Sequence, residues 1–374
     1  MSLDQFNLTQ NTHVGSMALL PVAADDVRED GRIQVPGLAD GLTPETYEAI
    51  ATLYDRIWEA RQVLAEYRSA VGASTLPQDD PCALTPLDAS KSDSNLFYKR
   101  EDLTATRAYK VRGAVVGMAQ MMELDHCDGF LAASTGNHAL GVLKAAELLR
   151  PDAVRIVVPK NTAQNKLDKI NAKIRHLKTL GVQAGLVFTG ETFDEAREWA
   201  LNQTRGEYYL DPYSDPWVVT GQGTIGLELY HQIQPYLKEG IDEVVIISPL
   251  GGGGLLAGTA VGFQLASAWD PLFRGVNVRF LGLRLASPDS TLGDAIRVAA
   301  PATCNQTVFE ALGIPIFTMD DPDMARGMAA ARQDLGVAVE GASGGTLCPV
   351  LDHALYQPSP KRLVVCILSG GNVS

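Results

Sequence analysis

Lys110 is the residue whose surroundings in this sequence favour covalent chemistry. It lies in the run AYKVRGA (108–114), beside an aromatic residue and several small residues, with a glycine three positions later. An amine that is partly removed from water has a lowered pKa and can act as a nucleophile and a proton carrier. Most lysines are solvated surface amines, so the prediction for Lys110 depends on the other motifs of the chain.

A run of four glycines is the second candidate site. Gly251, Gly252, Gly253 and Gly254 follow the β-branched segment VVIIS and precede an apolar, helix-like segment. Glycines at a strand-to-helix turn let backbone N–H groups converge at a helix N-terminus, where a phosphate binds well. A crowded turn that needs unusual backbone angles is the structural alternative. The run lacks the G-K-[ST] ending of a nucleotide P-loop, which argues against triphosphate hydrolysis.

Two further polar segments follow predicted strands. ASTGNH (133–138) ends one strand and opens a helix, so its hydroxyls and amides could form a carboxylate site or serve only as a helix cap. SGGN (369–372) follows the last strand and is either a turn or a polar group that points into a crevice. Ligands of parallel sheets bind at these carboxyl ends of strands.

A literal G-x-G-x-x-G at residues 221–226 raises the alternative of an NAD-binding oxidoreductase. The segment before it, DPYSDPW, contains two prolines and leaves only residues 218–220 for a first strand. We therefore expect these glycines to begin a helix that packs closely on its neighbours, and we keep NAD as a distant alternative.

The elements around these motifs alternate between strands and helices. Short apolar strands are predicted at 130–133, 155–158, 186–189 and 208–210, separated by helices at 137–150, 165–180 and 193–202. This rhythm predicts an α/β fold with mostly parallel sheet. A helix is expected to begin at Thr43 with Pro44, and residues 1–42 read as an N-terminal extension or surface arm.

Composition excludes several classes of protein. The 374 residues are 46% hydrophobic and 20% charged, which is ordinary for a globular chain, and the net charge of −13 disfavours nucleic-acid binding. Five scattered cysteines without metal-site spacing, and no signal-peptide pattern at the start, predict a reduced cytoplasmic protein without a metal site. The uncharged run 244–269 is long enough for a membrane span, but its central glycines favour a buried strand, turn and helix instead.

Together the motifs resemble a known family. KRED with KVRGA (99–114), ASTGNHALG (133–141), GGGGLLAG (251–258) and the terminal SGGN occur in the order of the fold-type II pyridoxal phosphate enzymes, in the threonine/serine dehydratase and serine racemase branch. TPL (85–87) and GQGTIGLEL (221–229) agree with it, and the resemblance covers about residues 83–374. It implies two open, mostly parallel sheets with flanking helices, similar to tryptophan synthase β, with the cofactor in the interdomain cleft.

The resemblance also implies domains and roles for individual residues. Residues 43–128 and 211–374 would form the large domain and 129–210 an inserted small one, with no appended regulatory domain. Lys110 would bind pyridoxal 5'-phosphate covalently, and the phosphate would lie on the amides of the glycine loop. The remaining implied roles are Tyr109 packing beside Lys110, Asn137 at the ring hydroxyl, Ser369 at the pyridine nitrogen, Leu255 at the phosphate, and Ser134, Thr135, Asn137 and His138 around the substrate carboxylate.

The implied reaction is α,β-elimination from a β-hydroxy amino acid such as threonine or serine, by a homodimer. Lys110 would take the α-proton, and a serine at the pyridine nitrogen favours prompt elimination over transamination. Replacement at the β-carbon and racemisation are the alternatives on the same scaffold. Thr135, whose hydroxyl is a poor base, makes racemisation secondary. Arg284 stands where relatives with a cation site carry a carboxylate, and GASGG after Glu340 departs from the usual pattern.

Overall fold

The computed structural model describes residues 27–38, 41–70, 80, 82–124, 127–202, 206–237, 240–352 and 359–373. Within these ranges the helices are α1 (Pro44–Ala70), α2 (Lys110–Glu123), α3 (Asn137–Leu149), α4 (Gln164–Thr179), α5 (Phe193–Asn202), α6 (Pro216–Ile233), α7 (Gly254–Ala268), α8 (Thr303–Ala311), α9 (Asp321–Leu335), α10 (Gly341–Gly345) and α11 (Cys348–Leu351). The strands are β1 (Leu87–Ala89), β2 (Leu96–Lys99), β3 (Gly129–Ala133), β4 (Ala153–Val158), β5 (Gln183–Phe188), β6 (Glu207–Tyr209), β7 (Glu243–Pro249), β8 (Asn277–Leu285), β9 (Ile316–Met319) and β10 (Arg362–Ile367).

The strands form two open sheets, as the sequence predicts. One has six strands in the order β1-β2-β10-β7-β8-β9, and the other has four in the order β5-β4-β3-β6. β1 pairs antiparallel with β2, and the other described pairs are parallel. The four-stranded sheet is built from the continuous stretch between β3 and β6, so the chain leaves the larger sheet once and returns to it. The predicted α/β fold class is confirmed.

Central strands of both sheets are buried on both faces. All seven residues of β7 and all five of β3 are buried, which explains why β3, and β7 after Glu243, read as runs without alternating charged residues. The carboxyl ends of β3, β7 and β10 are followed by ASTGNH, the glycine run and SGGN respectively. The fold therefore brings the three predicted motifs to strand ends, where parallel sheets bind ligands.

The described end of the predicted N-terminal extension is part of the core. Val35 and Leu42 are buried in the same cluster as Ile50 and Ile57 of α1, so the interpretation as a surface arm is wrong for this stretch. These side chains share a hydrophobic cluster with residues of the six-stranded sheet, and their burial stabilises the described part of the extension. Residues 1–26 of the expected extension lie outside the described residues.

The G-x-G-x-x-G motif lies inside α6, so the expected helix start at this motif is wrong. Asp215 caps the helix, its side chain accepting a hydrogen bond from Val218 N at 3.0 Å, and Pro216 is its first residue. A Cβ added at Gly221 would lie 2.6 Å from Gly113 Cα of α2, and one added at Gly258 of α7 would lie 3.0 Å from Gly223 Cα. The glycines let three helices pack main chain against main chain. A dinucleotide fingerprint needs a strand, a turn and a helix start here, which the fold does not provide.

The uncharged run 244–269 forms β7 after Glu243, the glycine turn and all of α7, as predicted. Among the described helices, none combines the length and apolarity that crossing a bilayer requires.

Candidate active site

Lys110 is the first residue of α2, and its amine points into the molecule. Nζ donates a hydrogen bond to the carbonyl oxygen of Pro212 at 2.6 Å and lies 5.1 Å from the centre of the Tyr109 ring. Burial lowers the pKa of Lys110 to about 8, and the carboxylate of Asp211 opposes this shift. The amine therefore loses its proton much closer to neutral pH than a solvated lysine does, which favours its action as a nucleophile.

The backbone around Lys110 is fixed by two neighbouring elements. Tyr109 N donates to Ser369 O at 3.0 Å, and Ala108 forms an antiparallel bridge with Gly370. On the other side, a Cβ added at Gly141 of α3 would lie 3.1 Å from the carbonyl carbon of Lys110. The AYK segment is thus held between the SGGN turn and α3, which places the lysine near two of the predicted motifs.

The glycine loop between β7 and α7 fits closely against its surroundings. Gly253 caps α7 with φ +98°, a conformation that favours glycine, and a Cβ added at Gly252 would overlap the ring of Tyr213. Asn305 Nδ2 donates to Gly252 O at 2.8 Å and to Tyr213 O at 2.7 Å, which ties the loop to the chain beside Lys110. The first amides of α7 have no acceptor within the helix, so the loop can offer them to an anion.

The ASTGNH segment begins α3 and points toward the same region. Ser134 Oγ accepts a hydrogen bond from Gly136 N at 3.2 Å, Thr135 is partly buried beside it, and His138 is buried with Nε2 2.9 Å from Leu210 O. Burial, reinforced by the positive charge of Lys110, lowers the pKa of His138 to about 4, so the imidazole is neutral. Its Nδ1 is buried without a hydrogen-bond partner among the described residues, which leaves a polar atom available to a ligand.

Asn137 is held by two residues from the far end of the chain. Its Nδ2 donates to Oε1 and Oε2 of Glu340 at 2.9 and 3.0 Å, and its Oδ1 accepts from Asn372 Nδ2 at 2.9 Å. Burial raises the pKa of Glu340, while the hydrogen bonds from Asn137 and Asn372 N favour its ionised form. The network fixes which way the Asn137 amide points.

Ser369 lies at the end of β10 next to this network. Its Oγ is 3.2 Å from Ser343 Oγ, and Ser343 also bonds both the N–H and the carbonyl of Gly370 at 2.9 Å. The GASGG helix after Glu340 therefore packs directly on the SGGN turn. Arg284, at the position where we expected no cation site, donates to Ala299 O at 3.1 Å.

A buried ionic cluster underlies the start of α2. It consists of Lys99, Glu101, Arg112 and Glu228, whose side chains are 0 to 8% exposed. Arg112 donates to both carboxylates, and Lys99 Nζ lies 2.5 Å from Glu228 Oε2. Two cations and two carboxylates balance, so the buried groups carry no net charge. The KRED and KVRGA motifs thus anchor the helix that begins at Lys110.

The structure brings the predicted residues Tyr109, Lys110, Asn137 and Ser369 into one connected region, with the glycine loop joined to it through Pro212 and Tyr213. Sequence reasoning did not assign roles to Arg197, Asp211, Tyr213, Asn305 or Asn372. Asn372 belongs to the SGGN motif and Glu340 precedes the unusual GASGG sequence, so the sequence did point to both residues. The others are recognisable only from contacts across the fold.

The chain resembles known proteins over most of its length. Residues 78–370 match the family described as pyridoxal-phosphate dependent enzyme. An L-threonine ammonia-lyase of Geobacter sulfurreducens is 31% identical over 74% of this chain and 67% of its own length. A catabolic L-threonine dehydratase of Escherichia coli K12 is 28% identical over 76% of this chain and 85% of its own length.

Solved structures agree with this assignment. The processed form of threonine deaminase isoform 2 from Solanum lycopersicum superposes with a TM-score of 0.66 at 26% identity, covering 84% of this chain and 90% of that one. Maize serine racemase shares the fold, with a TM-score of 0.67 at 24% identity, covering 86% of this chain and 94% of that one. The chain therefore belongs to the pyridoxal-phosphate-dependent enzymes, and pyridoxal 5'-phosphate is its cofactor.

Proposed function

We propose that the chain is an ammonia-lyase that converts a β-hydroxy amino acid, L-threonine or L-serine, to a 2-oxo acid and ammonia. The observation that carries the proposal is the Lys110 amine, whose pKa is lowered by burial and which donates to the carbonyl of Pro212; the next residue, Tyr213, contacts the glycine loop. Similarity to the L-threonine ammonia-lyase of Geobacter sulfurreducens supports the choice of reaction and substrate.

The residues present fit the cofactor. A buried amine of lowered pKa suits covalent attachment of an aldehyde, and the glycine loop at the start of α7 suits a dianionic phosphate. Nδ1 of His138, a residue whose pKa the charge of Lys110 helps to lower, is buried without a hydrogen-bond partner among the described residues, which leaves an acceptor for a ligand. We assign the phosphate to the amides of Gly251–Gly254 and Leu255, the ring hydroxyl to Asn137 and the pyridine nitrogen to Ser369.

Bound pyridoxal phosphate supplies an electron sink that stabilises negative charge at the α-carbon of the substrate. Asn137, fixed by Glu340 and Asn372, orients the ring, and Ser369 offers a neutral hydroxyl where an anionic partner would keep the ring nitrogen protonated. Ser134, Thr135 and the first amides of α3 bind the substrate carboxylate. Tyr109 covers the amine of Lys110 on one side.

Lys110 moves the proton that starts the elimination. Its uncharged Nζ accepts the α-proton, and the electrons of the Cα–H bond form the Cα=Cβ bond as the Cβ–O bond breaks. The β-hydroxyl group departs as water, and the α-proton taken up by Lys110 balances the hydroxide that is lost. Hydrolysis of the released product by one water then gives the 2-oxo acid and ammonia, so water is lost and regained in equal amounts.

A spectrum and an amino-acid panel test the proposal. We expect the purified protein to show a visible absorbance that borohydride abolishes and to carry the reduced cofactor on Lys110 by peptide mass mapping. K110A should lose this absorbance, whereas K144A, which removes a partly buried lysine of α3, should keep it. L-Threonine or L-serine should yield 2-oxo acid and ammonia in equal amounts.

Other outcomes of the same assays contradict the proposal. A wild-type protein without a borohydride-sensitive absorbance would exclude Lys110 as the attachment site. A product that requires an added nucleophile and releases no ammonia indicates β-replacement, and accumulation of the D-amino acid without 2-oxo acid indicates racemisation.

We further propose the domain division, location and assembly that the sequence predicts. The four-stranded sheet between Gly129 and Tyr209 supports an inserted small domain at 129–210 within a large one at 43–128 and 211–374. Five cysteines without disulfides among the described residues support a reducing, cytoplasmic location. Light scattering on the purified chain tests the homodimer, since a monomer mass would refute it.

A further inference from the structure

One short segment contacts four elements around Lys110. The site segment, Leu210–Tyr213, follows β6 and precedes α6, and each of its four residues makes a polar contact with a different element. Leu210 O faces His138 of α3, Pro212 O accepts from Lys110 of α2, and Tyr213 O accepts from Asn305 of α8. The Tyr213 ring lies against Gly252 of the glycine loop.

Asp211 gives this segment its shape. Its Oδ1 accepts hydrogen bonds from Tyr213 N at 3.0 Å and Ser214 N at 2.8 Å, which closes a turn around the carboxylate. The side chain is buried, so the turn is shielded from water. The carbonyl of Pro212 lies within this turn, so the acceptor that holds Lys110 depends on the geometry that Asp211 imposes.

Arg197 of α5 binds the other oxygen of the same carboxylate. Its Nη2 and Nε lie 2.6 and 3.1 Å from Asp211 Oδ2, and its guanidinium carbon lies 5.5 Å from the centre of the Tyr213 ring. α5 packs on the four-stranded sheet, so this pair joins that sheet to the site segment. Both oxygens of Asp211 are occupied, one by the main chain and one by Arg197.

We propose that Arg197 is a positioning residue: by binding Asp211 it holds the site segment against Lys110 and limits the negative charge that the lysine amine experiences. The proposal rests on the proposed function only in taking Lys110 as the reacting amine. Arg197 acts through Asp211, which lies between it and Lys110.

The charges around the two groups determine the direction of the effect. The titratable groups that face Lys110 are Tyr109, His138 and Asp211, and Asp211 favours the charged ammonium. Asp211 is itself surrounded by Tyr208 and Tyr209 of β6, Tyr213, Asp215 at the start of α6, and Cys304 of α8. Arg197 lowers the pKa of Asp211 against the opposing effect of burial, so the carboxylate is charged.

Removing either partner should therefore shift the ionisation of Lys110, in opposite directions. R197Q removes a positive charge, so Lys110 should hold its proton to higher pH. D211N removes a negative charge, so Lys110 should lose its proton at lower pH. We expect each shift to be about half a pH unit or more, since the charges act across a poorly solvated region. A purely structural loosening of the segment would not reverse its sign between the two variants.

The experiment measures Lys110 directly. The full-length chain, freed of cofactor, is acetylated at a series of pH values, and the extent at Lys110 is read by peptide mass mapping against a free amine standard. In parallel, kcat/KM of the holoenzyme is followed against pH. R197K, which keeps the charge, should restore the wild-type midpoint. R155Q is the matched control, because the Arg155–Glu207 pair of the same sheet has similar exposure and lies away from Lys110.

Opposite shifts in R197Q and D211N, with R155Q and R197K at the wild-type midpoint, support the proposal. Equal midpoints in wild type and R197Q, or shifts of the same sign in R197Q and D211N, overturn it. The acetylation assay does not require Lys110 to bind cofactor. A protein that shows the shifts yet lacks a borohydride-sensitive absorbance would therefore refute the proposed function alone.

Discussion

Removal of one carboxylate from the buried ionic cluster should destabilise the whole chain. In E228Q, Lys99 and Arg112 keep two positive charges while Glu101 supplies one negative charge, so a net charge of +1 is left in a region that is 0 to 8% exposed. Breaking a buried ion pair in this way costs about 3–5 kcal/mol of folding free energy, because the remaining charge is neither solvated nor paired.

The control is another glutamate with two cationic partners. Glu243 is buried like Glu228, but it pairs with Arg279 and Arg362, whose side chains are 49% and 24% exposed, so water can solvate the cations that lose their carboxylate. E243Q should therefore cost clearly less than E228Q. Urea unfolding followed by far-ultraviolet circular dichroism measures both variants against the wild type, with the unfolding slope checked for a common denatured state.

The pH dependence of stability gives a second, independent test of the same cluster. Burial opposes the charge of Glu228, but Arg112 and Lys99 more than compensate and depress its pKa. A depressed carboxyl pKa stabilises the fold above the unfolded value and loses that contribution as the pH falls toward the folded one. E228Q should thus flatten the loss of stability below about pH 4.5. Equal unfolding free energies for E228Q and E243Q at neutral pH would refute this account of the cluster.

Three further results are expected at the site. G252A should weaken cofactor binding by about tenfold or more, because the new methyl group must displace Tyr213 at a cost of roughly 1–3 kcal/mol. G185A is the control, since the nearest atom lies 4.0 Å from an added Cβ there, and it should bind the cofactor as the wild type does. Fluorescence titration of the cofactor measures both variants, and equal affinities would contradict the packing at Gly252. The rate of cofactor attachment at Lys110 should rise with pH around a midpoint near 8, since burial lowers the pKa of this amine. Stopped-flow absorbance measures this rate, and a midpoint above pH 10 would disprove the lowered pKa. E340Q should reduce cofactor affinity about tenfold, because its NH₂ group would face the N–H donors of Asn137 and Asn372 that now bind a carboxylate. Unchanged affinity would show that this network does not orient the ring.

Local patterns in the sequence sufficed for much of the fold. β7 and α7 were predictable because a β-branched run, a glycine turn and an apolar helix follow one another without charge, and α1 because Thr43 and Pro44 are strong start signals. The helix expected to begin at Gly221 begins at Pro216, five residues earlier, because the packing of its glycines on α2 and α7 is invisible in the chain order.

Site residues were predictable where a short sequence motif indicates the chemistry, and not where the contact joins residues far apart in the sequence. Lys110 and the glycine loop stand out by type and spacing alone. The hydrogen bond from Asn137 to Glu340 joins residues 203 positions apart. Arg197 meets Asp211 only because α5 packs on the four-stranded sheet and Asp211 follows β6, a strand of that sheet. Such pairs follow from topology and register, which a single sequence does not specify.

The main-chain contacts between α2, α6 and α7 have a consequence for how the enzyme could change. Lys110 opens α2 and Gly254 opens α7, and both helices pack on α6 at glycines, Gly113 against Gly221 and Gly258 against Gly223. A side chain added at any of these glycines would push the helices apart, and with them the reactive amine and the anion-binding turn. Substitutions that preserve these glycines therefore leave the spacing of α2 and α7 in place, so the two cofactor-binding elements keep their separation while other residues of the site change.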